Sequence, residues 1–248
     1  MRQPDDVVIA MEKPYGNSEA ETDALDAALR RIVDEEQIYR VDHFLSEPAM
    51  NRAALEAAAN PGLERIEFVY EESLALEGRA GFYDGTGALE DMLQSHLLQV
   101  LAMVALEPPR RLTPDALQDA VVEVLRATRV RDDDAVASSR RARYTAGTVG
   151  GQDVPDYVAE EGVDPENGTE TLAEVTLAVD TDRWRGVPFR LRSGKALERT
   201  RWEVTLTLRA PEDVPEGLSP AAGHDRIVVG LQPRDMRIEL TQNAKSVG

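Results

Sequence analysis

Past Gly150 the chain changes texture, and no other feature narrows its fold so far. Leu172 to Val179, Val187 to Arg192, Glu203 to Arg209, Arg226 to Leu231 and Met236 to Thr241 are runs of β-formers bounded by turn residues. Strand follows strand without a helical pattern between them, so this half is expected to be an antiparallel sheet. Ahead of it the periodicity is helical. Ser18-Glu19-Ala20-Glu21 matches a capping box, and Leu25, Ala28, Leu29 and Ile32 then recur at helical spacing to about Asp34. A second helix is predicted from Pro48 to Asn60, where Asn60-Pro61-Gly62 stops it, because a residue before proline is driven out of the α region. A third runs from about Gly87 to Glu107, ended by Pro108-Pro109. A fourth begins at Thr113-Pro114-Asp115, with an N-cap hydroxyl and proline in the first turn, and continues to about Thr128. Asp6 to Met11 reads as a short strand, and Glu12 to Gly16 as the turn after it. Helices first and strands afterwards predict an α+β fold, helices followed by a mainly antiparallel sheet, rather than a doubly wound one.

At 248 residues and 42% hydrophobic the chain can bury an ordinary core. It has no cysteine, which excludes disulfides, thiolate nucleophiles and cysteine-held metals and fits a reducing compartment, so a cytoplasmic location is expected. The longest mostly apolar run, Leu97 to Leu106, is too short to span a bilayer, and Met1 to Asp6 holds no signal-peptide core. No membrane role is expected. Acidic residues outnumber basic ones by 46 to 28, a net charge of −18, which disfavours nucleic acid as a partner.

Against that acidity, the few groups able to titrate near neutrality or to attract an anion stand out. There are three histidines: His43 beside Asp42, His96 in Asp91-Met-Leu-Gln-Ser-His96, and His224 in a loop. Imidazole exchanges protons near neutral pH, and a carboxylate on its second nitrogen fixes the tautomer. Taken singly, Asp42-His43 is a common dipeptide, and a histidine in an apolar helix is more often packed than reactive. Only three lysines occur, Lys13, Lys195 and Lys245. Arg192, Arg199 and Arg201 flank Lys195, which predicts a phosphate-attracting pocket. Asp91 also reads as a helix-start carboxylate, Glu72 as a solvated strand charge and Lys13 as a turn residue. On an α-helix Asp91 and His96 stand roughly 140° apart, so they are expected to lie on different stripes.

Five stretches occur in one order: Glu12 to Gly16 (EKPYG), Glu35 to Leu45 (EEQIYRVDHFL), Gly78 to Asp84 (GRAGFYD), Gly87 to Gln99 (GALEDMLQSHLLQ) and Gly186 to Lys195 (GVPFRLRSGK). Together they resemble the glucose-6-phosphate dehydrogenase family, from about Val7 to the last residue. The resemblance implies oxidation of glucose 6-phosphate at C1 to the lactone, with NADP as hydride acceptor. It makes His96 the general base and Asp42 the carboxylate that orients it. His43 would contact the substrate phosphate, Glu72 and Asp91 would face sugar hydroxyls, and Lys13 and Lys195 would lie at the substrate site. A homodimer through the sheet is also implied. No metal site is expected.

The pattern departs from the family in three places. No glycine-rich phosphate-binding turn follows a strand, so residues 1–16 are read as the last strand and turn of a dinucleotide-binding domain. Residues 17–248 are then read as the substrate and dimerisation domain, shortened at its C-terminus, and turnover would need a separate nucleotide-binding partner. Phe44 and Glu47 stand where the family has a tyrosine and a lysine, and the segment from Asn60 to Ile66 is shortened. Ser95 and Asp182 replace an asparagine and a tryptophan. These departures support a second expectation, a non-catalytic paralogue acting as a sugar-phosphate-binding or dimerisation module.

Overall fold

A computed structural model describes residues 7–13, 15–16, 18–41, 48–111, 113–210 and 223–241. The chain forms two compact units, Met1–Ser46 and Glu47–Gly248.

In the first unit β1 (Ile9–Met11) and β2 (Ile38–Arg40) pair in parallel, with α1 (Glu19–Leu29) on the connection between them. A parallel pair cannot close with a tight turn, and α1 supplies the crossover. Ser18 caps α1 from an extended backbone, its Oγ accepting from the Glu21 N–H at 3.3 Å. The helix ends at Leu29, short of the expected Asp34. Arg30 and Arg40 then share Asp26 and Glu35, with contacts of 2.5–3.0 Å that tie α1 to β2.

The second unit opens with α2 (Pro48–Ala59) and β3 (Leu63–Glu71), then the single-turn α3 (Ala80–Tyr83). A π-helical segment, Leu89–Leu97, runs directly into α4 (Leu98–Ala105), and α5 (Pro114–Ala127) follows. Thr113 caps α5 as the sequence predicts, accepting from the Ala116 N–H at 3.3 Å. Four short strands come next: β4 (Thr128–Val130), β5 (Ser139–Ala142), and the separate hairpin of β6 (Gly147–Val149) with β7 (Gln152–Val154). The predicted run of strands completes the unit: β8 (Leu172–Val179), β9 (Pro188–Gly194), β10 (Arg201–Leu208), β11 (Arg226–Gln232) and β12 (Arg234–Glu239).

The main sheet has the order β12-β11-β10-β3-β9-β8-β4, with β5 also paired to β8. The fold is α+β, as expected. One difference matters. β3, which precedes most of the helices, lies in the middle of the sheet and runs parallel to β9, from Ile66 opposite Phe189 to Glu71 opposite Gly194. Its charges at Glu64, Arg65, Glu67 and Glu71 obscure a period-two pattern, in which Ile66, Phe68 and Tyr70 share one face.

That face is the core. Ile66, Phe68, Phe189, Leu191, Val204 and Leu206 are all buried, as are Met50 and Ala53 of α2 and Leu97, Leu101 and Val104 from the π segment and α4. Burying each large side chain contributes about 1.5–3 kcal/mol. Trp184 joins the layers, its Nε1 donating to the Ala105 carbonyl at 2.6 Å and its ring meeting Phe189 edge-on at 5.3 Å. Arg183 donates to the carbonyls of Ala57 and Ala58, which the end of α2 leaves without helical partners.

The opposite face is charged. Across five strands run the pairs Glu174–Arg192 at 3.2 Å, Arg192–Glu71 at 2.6 Å, Glu71–Arg201 at 2.8 Å, Arg201–Glu203 at 3.4 Å and Glu203–Arg237 at 2.7 Å. Glu71 and Glu203 are buried beneath these arginines.

Candidate functional site

Parallel pairing of β3 with β9 brings the C-terminal ends of both strands side by side, where open sheets gather ligands. Glu72 and Lys195 each stand one residue beyond those ends. The Glu72 N–H donates to the Gly194 carbonyl at 2.9 Å, and the Leu197 N–H returns to the Glu72 carbonyl at 3.0 Å. Strand alternation then places Tyr70, Glu72, Ser193 and Lys195 on the core face. Lys195 Nζ meets Glu72 Oε2 at 2.5 Å and lies 5.6 Å from the centroid of the Tyr83 ring. Tyr70 stacks on Trp202 at 4.5 Å with the planes 16° apart.

The same alternation corrects the expected basic pocket. Arg192 and Arg201 point to the other face, where both hold Glu71, and Arg199 is exposed. Of the described cations expected there, Lys195 is the one on the core face.

The third wall is the π segment. It buries Met92, Leu93 and Leu97, and α4 continues the buried face with Val100, Leu101, Ala102, Val104 and Ala105. In a π-helix the backbone closes from i to i+5, a wider winding that brings residues five apart closer around the axis than they are in an α-helix. Asp91 and His96, both half-buried, therefore lie closer around the axis than the roughly 140° expected of an α-helix. Ser95 follows the same spacing, its hydroxyl donating to the Glu90 carbonyl at 2.8 Å.

Glu170 fixes the start of this segment. Its backbone carbonyl accepts from the Ala88 N–H at 3.2 Å, its Oε1 from the Leu89 N–H at 2.9 Å, and its Oε2 pairs with Arg141 at 2.7 Å. Its neighbour Thr171 accepts from the Lys195 N–H at 2.9 Å, so one short stretch of chain holds two walls of the site. A polar cavity of about 410 Å³ opens beside it, lined by Asp84, Thr86, Glu90, Arg141, Asn167 and Glu170.

The electrostatics of these walls show in two tyrosines that sequence reasoning did not single out. Burial, then the charges of Glu72 and Asp91, pushes the Tyr70 hydroxyl well above the ordinary tyrosine range. Burial, then Asp91 and Glu170, does the same at Tyr83. Both phenols therefore keep a proton available to donate. The signal for Tyr83 was its place inside the Gly78 to Asp84 motif; for Tyr70 it was the concealed alternation of β3. Carboxylates that can accept, with an ammonium and two phenols that can donate, form a set suited to a polyhydroxylated ligand.

Of the remaining predicted residues, Lys13 is half-buried two positions beyond β1 in the first unit. Asp42 and His43 lie outside the described residues. His224 pairs with Glu64 at 2.8 Å. Among the described residues no group of three or more histidines, aspartates or glutamates is placed to hold a metal ion, and no helix is long and apolar enough to cross a membrane. A dinucleotide does not fit the described part of the first unit. The N-terminus of α1 offers no pyrophosphate site, since it carries Glu19 and Glu21 and is already capped by Ser18.

Residues 50–248 match the family model for the glucose-6-phosphate dehydrogenase C-terminal domain, and residues 2–51 that for its NAD binding domain. The chain is 37% identical over 248 residues to a glucose-6-phosphate 1-dehydrogenase of Gluconobacter oxydans, covering 96% of this chain and 50% of that protein. A crystal structure of glucose-6-phosphate 1-dehydrogenase from Mycobacterium avium superposes with a TM-score of 0.78 at 32% identity, covering 97% of this chain and 54% of the other. A glucose-6-phosphate dehydrogenase solved in complex with glucose-6-phosphate gives a TM-score of 0.80 at 23% identity, covering 96% and 52%. The chain thus spans about half the length of the relatives it matches.

Proposed function

The chain belongs to the glucose-6-phosphate dehydrogenase family, and from that premise we propose that it supplies the sugar-binding side of an enzyme oxidising glucose 6-phosphate at C1 to the lactone. The observation that supports this most is the Glu72–Lys195 pair at the neighbouring ends of β3 and β9, with the Asp91 charge acting alongside that of Glu72 on the Tyr70 hydroxyl; His96 follows Asp91 by five residues in the π segment. In this reading Glu72 and Asp91 accept from sugar hydroxyls and Lys195 meets an anionic group. His96 takes the proton from the C1 hydroxyl, since imidazole is matched to that transfer near neutral pH. Asp42 orients His96, while His43 and Lys13 complete the phosphate side; these three roles rest on the motifs alone. A nicotinamide dinucleotide, NADP by expectation, would accept the hydride. Since the described residues do not fit its pyrophosphate, only the sugar-side steps are assigned to this chain.

We place the boundary of the sugar-binding domain at residues 46–51, because β1, α1 and β2 form one parallel unit and the two family matches meet at the same place. The charged face of the sheet is our candidate for the homodimer contact.

One observation favours the non-catalytic alternative. Lys195 is already neutralised by Glu72, and the sequence places Glu47 where the family has a lysine. Calorimetric titration of the purified chain with glucose 6-phosphate, and separately with NADP, decides between the readings. The sugar phosphate is expected to bind with a dissociation constant of about 1 mM or below, and Lys195→Ala to weaken it at least about tenfold. Heat from neither ligand would overturn the enzymatic reading.

A further inference from the structure

Resting on that reading, we infer that Tyr83 is the positioning residue of Lys195: its ring and the Glu72 carboxylate clamp the ammonium from two sides and set where its charge meets the ligand. A lysine stem has four rotatable bonds and is placed only by what surrounds its head. Here the head is 2.5 Å from a Glu72 oxygen and 5.6 Å from the Tyr83 ring centroid, within the range where a cation is drawn to an aromatic face. The ring itself cannot yield. Tyr83 is 4% exposed, and the next residue, Asp84, is held by the Tyr157 hydroxyl at 2.5 Å, the Asp164 N–H at 2.9 Å and the Asn167 amide at 2.7 Å.

The charged and titratable groups facing Tyr83 from its surroundings are Glu72, Asp91, Glu170 and Tyr157. These make its environment negative apart from Lys195, so the ammonium has reason to stay. Glu72 alone would leave Lys195 free to swing about that carboxylate. The ring closes the other side, and an arriving anion meets a cation already in place.

The chain contains three lysines, so NMR of protein labelled at lysine resolves each ε-methylene, and Lys195→Ala assigns the one of interest. In the ligand-free protein the Lys195 ε-methylene is expected upfield of the other two, shifted by the ring. It should stay there in Tyr83→Phe, which keeps the ring. Tyr83→Leu should return it to the ordinary position and weaken glucose 6-phosphate by several-fold up to about 30-fold, while Tyr83→Phe changes affinity less than about twofold.

An unshifted Lys195 signal in the parent protein, or one unmoved by Tyr83→Leu, would overturn the inference. So would equal weakening by Phe and Leu. If the parent protein binds no sugar phosphate yet Lys195 responds as described, the placement stands and the functional reading falls.

Discussion

Asp84→Ala is expected to destabilise the second unit by about 3–4 kcal/mol, read as a fall in the urea midpoint at unchanged slope. The Asp84 carboxylate is buried and accepts from three donors: Tyr157 Oη, the Asp164 N–H and Asn167 Nδ2. Each buried donor left without a partner costs about 1–3 kcal/mol. Tyr157 is the severe case, because it is fully buried and packs edge-on against Tyr144 at 5.6 Å, whereas Asp164 and Asn167 are exposed and can turn to water. A loss below 1 kcal/mol would show that water replaces the carboxylate and that the network does not anchor Tyr83.

The same residue sets an acid limit. Burial opposes ionisation of Asp84, but the hydrogen bonds from Tyr157, Asp164 and Asn167 outweigh it and hold the carboxyl below the usual carboxylate range. A depressed folded-state pKa gives stability that is complete above the unfolded value of about 3.9 and lost as pH falls through the folded value. The stability gap between the parent and Asp84→Ala is therefore expected to be constant at neutral pH and to narrow below about pH 4.

Gly87→Ala is the second large effect, expected at about 2–4 kcal/mol. Gly87 has φ +68°, and a Cβ there would lie 2.7 Å from Glu170 Oε1. The conformation alone costs an alanine about 1–2 kcal/mol. The remainder comes from pushing aside a carboxylate that caps Leu89 and pairs with Arg141. Gly150 offers the control: its φ is +59°, and nothing lies within 4 Å of a Cβ built there. Gly150→Ala should cost the conformational part only. Thermal melts of both variants separate the two contributions, and equal losses would show that Glu170 is not a rigid stop. Because Asp91 follows four residues after Gly87, the variant is also expected to weaken sugar phosphate binding, which Gly150→Ala should leave unchanged.

Much of this arrangement was readable from residues alone, for identifiable reasons. Helix starts announced themselves at Ser18 and Thr113, because a capping hydroxyl must precede the first turn. The later strands alternate cleanly because one face packs on the core. β3 is hidden by its own charges, of which Arg65, Glu67 and Glu71 serve the opposite face, and with it goes the parallel pairing that brings Glu72 to Lys195. Arg192 and Arg201 were grouped with Lys195 by nearness in sequence, although a strand sends odd and even positions to opposite sides. The Asp91 and His96 spacing carries no mark in the sequence of anything but an α-helix, and only the folded segment discloses the wider winding.

That wider winding bears on how the chain tolerates changes in length. Losing a residue from an ordinary helix turns everything beyond it by about 100°, because 3.6 residues make a turn, and so swings its inner face round to the side. The stretch between Asp91 and His96 is wound with a residue to spare. Shortened by one, it can tighten to α geometry, with Met92 and Leu97 then four apart and on one face, and with α4 delivered to the core at its present angle. The walls of the site are thus joined through a piece of chain that can shorten by a residue without turning the helix that follows it.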